Sequence, residues 1–222
     1  MSIRKKILAI SIGPVLVLGV ITLLFMLTMV KSSLMDEVQD ALKGTAAATL
    51  AAYDQNTGDY LESTNGDIWK GSYNISKSES LVDRIKENTG MDVTFFYGNK
   101  RIMTSALDKK GNRILGSEAG ERVVNQVIKG KKPFFSTNVS LDGTRNYGYF
   151  IPVYQNGTTD QVIGMVFVGT NKARKDAIVN KILGSIMMAL LVVMLLCIVT
   201  AMRMAASISK NIKNSVAVVG KL

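Results

Sequence analysis

Histidine is absent from this chain of 222 residues, and cysteine occurs once, as Cys197. The lack of histidine excludes His-based catalytic triads, histidine metal ligands and a phospho-accepting histidine within the chain. A single cysteine excludes an internal disulfide and leaves no Cys/His spacing for a zinc site. A glycine-rich phosphate loop ending in GKS or GKT is also missing. The sequence therefore predicts no catalytic residues, no metal and no cofactor in this chain.

Acidic residues are missing from both ends of the chain, although it has 17 in total. Three basic residues precede Ile7, and four follow Met202. Two charge-free apolar runs adjoin these ends, Ile7–Val30 and Ile182–Met202. As helices they would be about 36 and 32 Å long, which matches a bilayer hydrocarbon core of about 30 Å. We therefore predict two transmembrane helices, with one domain of residues 31–181 between them.

The basic ends predict the orientation in the cell membrane. Positively charged short flanks stay on the cytoplasmic side, so both termini are expected there and residues 31–181 outside. The net charge of +10 comes mostly from these ends. No basic helix or aromatic-rich basic patch accompanies it, so nucleic-acid binding is not predicted. The alternative of a cleaved signal peptide is disfavoured, because the first run is long and Met29–Ser32 offers no small-x-small cleavage site.

The first half of the central domain has a helical pattern followed by a polar segment. Over Lys31–Asn56, apolar residues recur at helical spacing, which predicts a helix that continues out of the membrane. Thr57–Lys77 is rich in Gly, Asp, Asn and Ser and is expected to be an irregular loop that its aromatic residues hold in place. A short helix follows, with Ser78 as its cap and Gly90 at its end.

The second half of the domain reads as five strands and one helix. Gly98-Asn99 and Asp142-Gly143 are typical of tight hairpin turns. The predicted strands are Asp92–Tyr97, Lys100–Ala106, Phe134–Leu141, Thr144–Tyr154 and Gln161–Thr170, and the predicted helix is Ser117–Lys129. Hairpin connections favour an antiparallel five-stranded sheet with helices on one face, an α+β fold.

Short fragments along the domain resemble a known family. In chain order they are GDY at 58–60, DIWKG at 67–71, LVDRIK at 81–86, TG at 89–90, DVTFF at 92–96, RIMTS at 101–105, GNRILGS at 111–117, YGYFIP at 147–152 and VIGMVFVG at 162–169. Their order resembles the single Cache domain, the PAS-like extracytoplasmic sensor module of methyl-accepting chemotaxis receptors. The resemblance implies a long N-terminal helix, a five-stranded sheet and a ligand pocket on the helix-free side of that sheet.

The C-terminal segment resembles the beginning of a HAMP linker, the coiled-coil adaptor that follows the second anchor in such receptors. The resemblance is carried by Ser207–Ile212 and by a helical apolar stripe of Ile208, Ile212, Val216 and Val219. The family usually has proline where Asn211 stands. The alternative is an amphipathic basic helix lying on anionic lipid. The expected domains are a cytoplasmic N-terminus at 1–6, transmembrane helices at 7–30 and 182–202, a Cache domain at 31–181 and a truncated HAMP linker at 203–222.

Strand alternation and the Cache resemblance suggest ligand-binding residues. On the strand Thr144–Tyr154, Arg145, Tyr147 and Tyr149 share one face. A guanidinium binds a carboxylate through two parallel hydrogen bonds, and phenol hydroxyls add donors. The predicted ligand-binding residues are Arg101, Thr104, Arg145, Tyr147 and Tyr149, with Trp69 or Tyr73 as a lid.

A structural role is the alternative for each of these residues. Arg and Tyr on an exposed strand face are usually solvated, with the Tyr ring packed on its cross-strand neighbour. In an unbulged strand, Arg101 and Thr104 point to opposite faces, so at most one of them enters a given pocket. Trp69 is expected to hold its loop in place rather than contact a ligand.

The expected function is that of a transmembrane chemoreceptor. It would sense a small ligand, an organic acid or amino acid, and pass the signal through the second membrane helix and the HAMP linker to cytoplasmic signalling proteins. HAMP-linked receptors work as homodimers, and Lys31–Asn56 is the expected contact. The alternatives are the sensor half of a histidine kinase or nucleotide cyclase, whose enzymatic domain would follow residue 222, and a stand-alone membrane-anchored binding module.

Overall fold

The computed structural model describes residues 3–156 and 158–219. Contacts divide the chain into a central unit, Met35–Ala177, and a second unit made of Met1–Leu34 and Ile178–Leu222. The helices are α1 (Ile3–Asp54), α2 (Glu79–Thr89), α3 (Glu121–Val123) and α4 (Lys172–Val219), with a 3-10 turn at Ile75–Lys77 and a π-helix at Val124–Lys129. The strands are β1 (Tyr60–Glu62), β2 (Ile68–Lys70), β3 (Tyr73–Asn74), β4 (Asp92–Tyr97), β5 (Lys100–Thr104), β6 (Phe134–Leu141), β7 (Thr144–Tyr154) and β8 (Val162–Asn171).

The main sheet of the central unit has five strands in the order β5-β4-β8-β7-β6, and all its pairings are antiparallel. The two predicted hairpins join β4 to β5 and β6 to β7. This is a PAS-like arrangement in which β4 and β8, the first and last strands of this sheet along the chain, lie side by side. The predicted α+β fold, with a long N-terminal helix and an antiparallel five-stranded sheet, is confirmed.

One face of this sheet packs against α1 and α2. From α1 come Leu42, Ala46 and Tyr53, which are fully buried, and Val82 of α2 joins them. The sheet contributes alternate residues to this core, among them Phe95, whose ring meets that of Tyr53 edge-on at 5.2 Å between centroids. Because α1 presents an apolar residue every three or four positions, one stripe of the helix is buried along this face.

The other face of the sheet carries a second core. It contains Phe96, Phe150 and Phe167 from the sheet and Val127 from the π-helix, all of them buried. The prediction of helices on one face only is therefore wrong. The segment from α3 through the π-helix has its own apolar side and covers part of this face, because Phe150 and Phe167 would otherwise be exposed to water.

The segment predicted as an irregular loop, Thr57–Lys77, is instead a small antiparallel sheet in the order β1-β2-β3. In β2, Ile68 and Lys70 point to the buried face and Trp69 between them is half-buried. Because one of the two buried residues is a lysine, the sequence does not show the alternation of apolar and polar residues that would predict a strand. The Lys70 ammonium lies 4.3 Å from the centre of the Tyr60 ring and 3.8 Å from a carboxylate oxygen of Asp54. The polar composition of Thr57–Lys77 therefore predicted a loop, whereas the buried Lys70 is accommodated in a strand because it is paired with Asp54.

The beginning of the predicted helix Ser117–Lys129 is extended, and α3 begins only at Glu121. The segment before it pairs with the edge of β5. The Arg101 amide donates to the Ser117 carbonyl at 2.9 Å, and the Gly116 amide donates to the Arg101 carbonyl at 2.9 Å. These bonds satisfy backbone groups that an edge strand would otherwise leave free.

Among the described residues, two helices are long and apolar enough to cross a membrane, by length and composition, within Ile12–Asp54 and Lys172–Asn211. Their apolar side chains, such as Phe25 and Leu196, are exposed, as lipid contact requires. In the unit that holds both apolar runs, Gly19 faces Met194 so closely that an added methyl would lie 2.7 Å from the Met194 sulfur. The backbone of α4 is helical to Val219, but the tail stripe predicted from Ile212 onward falls on side chains outside the described ones.

Candidate functional site

A cavity of about 520 Å³ lies on the sheet face opposite α1. Its walls are α3, the segment 118–120 before it, and β6, and the buried rings of the second core form its floor. The described lining residues are Phe96, Arg101, Glu118, Ala119, Gly120, Arg122, Val123, Phe134–Ser140, Phe150 and Phe167. A cavity of this size with an apolar floor and a few polar groups is typical of a small-molecule site.

Arg101 enters this cavity because β5 is bulged. The register of β4 against β5 shifts between Phe95 and Phe96, so that Arg101 lies opposite Phe96 while Met103 lies opposite Phe95. Ile102 is the extra residue of the bulge and has no partner on β4, so the side chains before and after it no longer alternate in the regular way. Arg101 and Thr104 therefore lie on the same face, contrary to the expectation for an unbulged strand.

The Arg101 side chain is buried without a counter-ion. Only 8% of the residue is exposed, and Nε has no hydrogen-bond acceptor. One Nη donates to the Ile114 carbonyl at 3.3 Å, and the guanidinium lies 5.3 Å from the centre of the Phe96 ring. Among the described residues, no carboxylate lies within 4.0 Å of it. Burial lowers the pKa of Arg101, and Asp92 opposes this effect only in part.

Aromatic rings and a second guanidinium form the rest of the cavity. The Arg122 guanidinium lies 5.3 Å from the centre of the Phe134 ring, at the mouth of the cavity. The Phe134 ring lies 6.4 Å from that of Phe150, and Phe150 lies 4.7 Å from Phe167. The cavity is therefore cationic at two points and aromatic between them. Chemically, this arrangement favours an anion with an apolar body.

The other predicted ligand-binding residues do not lie in this cavity. Thr104 is fully buried and shares a hydrogen bond of 2.6 Å with the Thr94 hydroxyl, so its polar atom is engaged within the sheet. Arg145 is exposed near the beginning of β7. Tyr147 and Tyr149 belong to the core on the α1 side. Of the five predicted residues, the structure brings only Arg101 to the cavity.

The predicted lid residues lie on the side of α1 as well. Tyr73 of β3 packs at 6.2 Å from the Tyr53 ring of α1, and Trp69 lies in β2 of the small sheet. Neither lines the cavity. In that sheet, Trp69 is paired with Leu61 on one side and Asn74 on the other.

Tyr147 connects the sheet to the beginning of α4. Its hydroxyl donates to the Asp176 carboxylate at 2.5 Å, and its ring is stacked on Phe135 at 6.4 Å between centroids. Burial, followed by the hydrogen bond to Asp176, raises the pKa of Tyr147 to about 12. The Lys172 ammonium lies 5.0 Å from the centre of the same ring and donates to the Thr137 carbonyl at 3.2 Å. Phe135 and Thr137 both line the cavity, so these contacts join its wall to α4.

Apart from Arg101, the sequence did not predict the cavity residues; those missed include Arg122 and the four phenylalanines Phe96, Phe134, Phe150 and Phe167. Phe134 and Phe150 sit opposite each other only because the β6–β7 register shifts between Ser136 and Val139, so the Asp142-Gly143 turn alone would have paired Phe134 with Ile151. Arg122 had no sequence signal beyond its helical position. In the described residues there is no group of three or more His, Cys, Asp or Glu side chains that could hold a metal ion.

The fold is PAS-like, with an antiparallel five-stranded sheet and a long N-terminal helix. More specifically, residues 73–182 match the family described as Single cache domain 3. This segment is therefore similar to a single Cache domain, and the chain has a helix before it and a helix at its end that are candidates to span a membrane.

A solved structure similar to this chain is an extracellular ligand binding receptor from Desulfohalobium retbaense DSM5692, with a TM-score of 0.48 and 14% sequence identity. The match covers 68% of this chain and 26% of that one. This chain thus spans about a quarter of the length of that receptor. No curated protein matches the chain at a significant level.

Proposed function

We propose that this chain is the sensory part of a transmembrane chemoreceptor, which binds a small organic acid or amino acid outside the cell. The observation that carries the proposal is the cavity in the Cache domain, with the buried and unpaired Arg101 in its wall. A buried guanidinium without a counter-ion is costly, and a bound carboxylate would supply the missing charge and acceptors. Of the predicted ligand-binding residues, only Arg101 is proposed to contact the ligand.

The contacts at the beginning of α4 support a route for the signal. A ligand that moves β6 would change the positions of Phe135 and Thr137. Those residues touch Tyr147 and Lys172, and Asp176 holds Tyr147 from α4. Because α4 continues as one helix into the second apolar run, a small displacement of its first turn is passed toward the membrane. The ligand shifts this equilibrium only by its differential affinity for the two arrangements.

The proposal includes the membrane orientation and a homodimer. Both termini lie in the cytoplasm, as the basic ends predict. The contact between protomers is the outward side of α1, where Gly44, Ala47, Ala48 and Ala51 are exposed and small enough for two helices to approach closely. A HAMP linker and a cytoplasmic output would follow the second span. A sensor for a histidine kinase or nucleotide cyclase would have the same layout. The identity of the cytoplasmic output domain would distinguish a chemoreceptor from either enzyme.

Thermal unfolding of the full chain in lipid nanodiscs tests the proposal. Trp69 is the only tryptophan, so its fluorescence reports on the Cache domain alone. The chain is screened with organic acids, amino acids, amines and sugars. At 100 times its dissociation constant, a ligand adds about 2.7 kcal/mol of stability and raises the midpoint. Organic or amino acids are expected to do so. If no compound in the panel shifts the midpoint, the ligand-sensing function is wrong.

A further inference from the structure

We infer that the ligand of this cavity is an aromatic monocarboxylate, whose carboxylate binds Arg101 and whose ring lies among the phenylalanines. The inference rests on the proposed function and names the ligand class of the same site. It begins with Arg101, which is more than nine-tenths buried and has an unpartnered Nε. Nε and an Nη form the fork that holds a carboxylate through two parallel hydrogen bonds. One Nη already donates to the Ile114 carbonyl, which fixes the plane of the guanidinium.

The charges around the cavity favour an anion over a zwitterion. The lining has two arginines, Arg101 and Arg122, and among its described residues Glu118 is the one acid. Glu118 is exposed, so its carboxylate is screened by water and adds little to the binding of an ammonium group. An amino acid would therefore leave its ammonium without a buried partner, which costs affinity. A simple carboxylate has no such group.

The floor and mouth of the cavity favour an aromatic ring over a short aliphatic chain. Phe96, Phe150 and Phe167 form the floor, and Phe134 stands at the mouth with Arg122 over its face. Ring pairs in edge-to-face or offset geometry gain free energy beyond that of the apolar area they bury. A two-carbon or three-carbon acid would reach Arg101 but has no ring to pack against these phenylalanines. A benzoate-sized or phenylacetate-sized ligand satisfies the guanidinium and the rings together.

Titration calorimetry of the full chain in nanodiscs tests this ligand class with four probes that differ in one property each. Phenylacetate has the ring and the charge, propionate has the charge alone, benzyl alcohol has the ring alone, and benzylamine has the ring with the opposite charge. Phenylacetate is expected to bind at least about tenfold more tightly than each of the others. Equal or tighter binding of propionate, benzyl alcohol or benzylamine would overturn the inference.

Two variants assign the binding to this cavity. Arg101→Met is expected to weaken phenylacetate binding about 30-fold or more, which is the usual cost of removing a buried charged partner. Arg145→Met, an exposed arginine on β7 outside the cavity, is the matched control and should leave the affinity unchanged. If Arg101→Met does not fold, Phe134→Leu at the half-buried mouth replaces it and should weaken phenylacetate more than propionate. Unchanged affinity in a folded Arg101 or Phe134 variant contradicts the assignment.

The panel also separates this inference from the proposed function. If an amino acid or aliphatic acid stabilises the chain and phenylacetate does not, the sensor stands and the aromatic class is wrong. If no compound of either panel binds the folded chain, both are wrong.

Discussion

The Tyr147 hydroxyl on β7 donates a hydrogen bond to the Asp176 carboxylate on α4. The sequence predicts a ligand contact for Tyr147, but its ring is buried on the α1 side of the sheet, stacked on Phe135. Its position gives it a different role in the proposed receptor. It links β6, the strand in the wall of the cavity, to α4, the helix that contains the second candidate membrane span.

This link predicts a dependence of stability on alkaline pH. The pKa of Tyr147 is raised to about 12, first by burial and then by the bond to Asp176, against about 10 in an unfolded chain. The neutral phenol therefore stabilises the fold fully below pH 10, and this contribution is lost as the pH rises toward 12. Between these values, the unfolding midpoint of the wild type should fall more steeply than that of Tyr147→Phe. Parallel curves for the two proteins would refute the role of Tyr147.

The ion pair between Arg113 and Asp83 predicts the opposite pH dependence. Two guanidinium nitrogens bond the two carboxylate oxygens at 2.9 and 2.5 Å, and one also donates to the Thr104 carbonyl at 2.7 Å. The pair ties the segment after β5 to α2. Because it is partly exposed, Arg113→Met should cost about 1 kcal/mol near neutral pH, a drop of roughly 2–4 °C in midpoint. The exposed Lys110→Met is the control and should change little.

Acid should remove the difference between Arg113→Met and the wild type. The hydrogen bonds from Arg113 hold the pKa of Asp83 below its usual range. The stability from this pair is therefore present above the unfolded pKa of about 3.9 and is lost as the pH falls through the lower folded value. Urea denaturation from pH 7 down to pH 3 measures the effect. A cost that stays constant over this range would show that Arg113 acts by packing rather than by its charge.

Gly148 on β7 predicts a steric effect at the floor of the cavity. A methyl group there would lie 2.5 Å from Cε2 of Phe167 and 2.8 Å from Cγ2 of Val139. Gly148→Ala should therefore destabilise the domain by about 1–3 kcal/mol, because the buried rings must move. Gly120→Ala, where an added methyl meets nothing within 4 Å and φ is ordinary, is the matched control. Equal unfolding midpoints for the two variants would contradict the close packing of Gly148.

The proposed dimer predicts a specific cross-link on α1. In a chain whose native cysteine is removed by Cys197→Ala, Ala48→Cys should form a disulfide-linked dimer on mild oxidation in membranes. Ser117→Cys, which is exposed beside β5, should stay monomeric. Non-reducing gel electrophoresis measures the fraction of disulfide-linked dimer for each of the two variants. Equal cross-linking of the two, or cross-linking of Ser117→Cys alone, would place the dimer contact elsewhere.

The sequence predicted the sheet well, because periodic strands and two-residue turns are local signals. Phe134–Leu141 and Thr144–Tyr154 form strands with the predicted bounds. The candidate site was harder to predict. The bulge at Ile102 places Arg101 and Thr104 on one face, and this depends on pairing that no single strand encodes. Tyr147 and Tyr149 were assigned to the ligand side because strand alternation groups residues by face without saying which face α1 covers.

The most direct test of the whole account is a crystal structure of the full chain grown with saturating phenylacetate. Ligand density is expected in the cavity opposite α1, with the carboxylate within hydrogen-bond distance of Arg101 and the ring beside Phe134. Ligand density on the α1 side of the sheet, next to Tyr147 and Tyr149, with none beside Arg101, would contradict it.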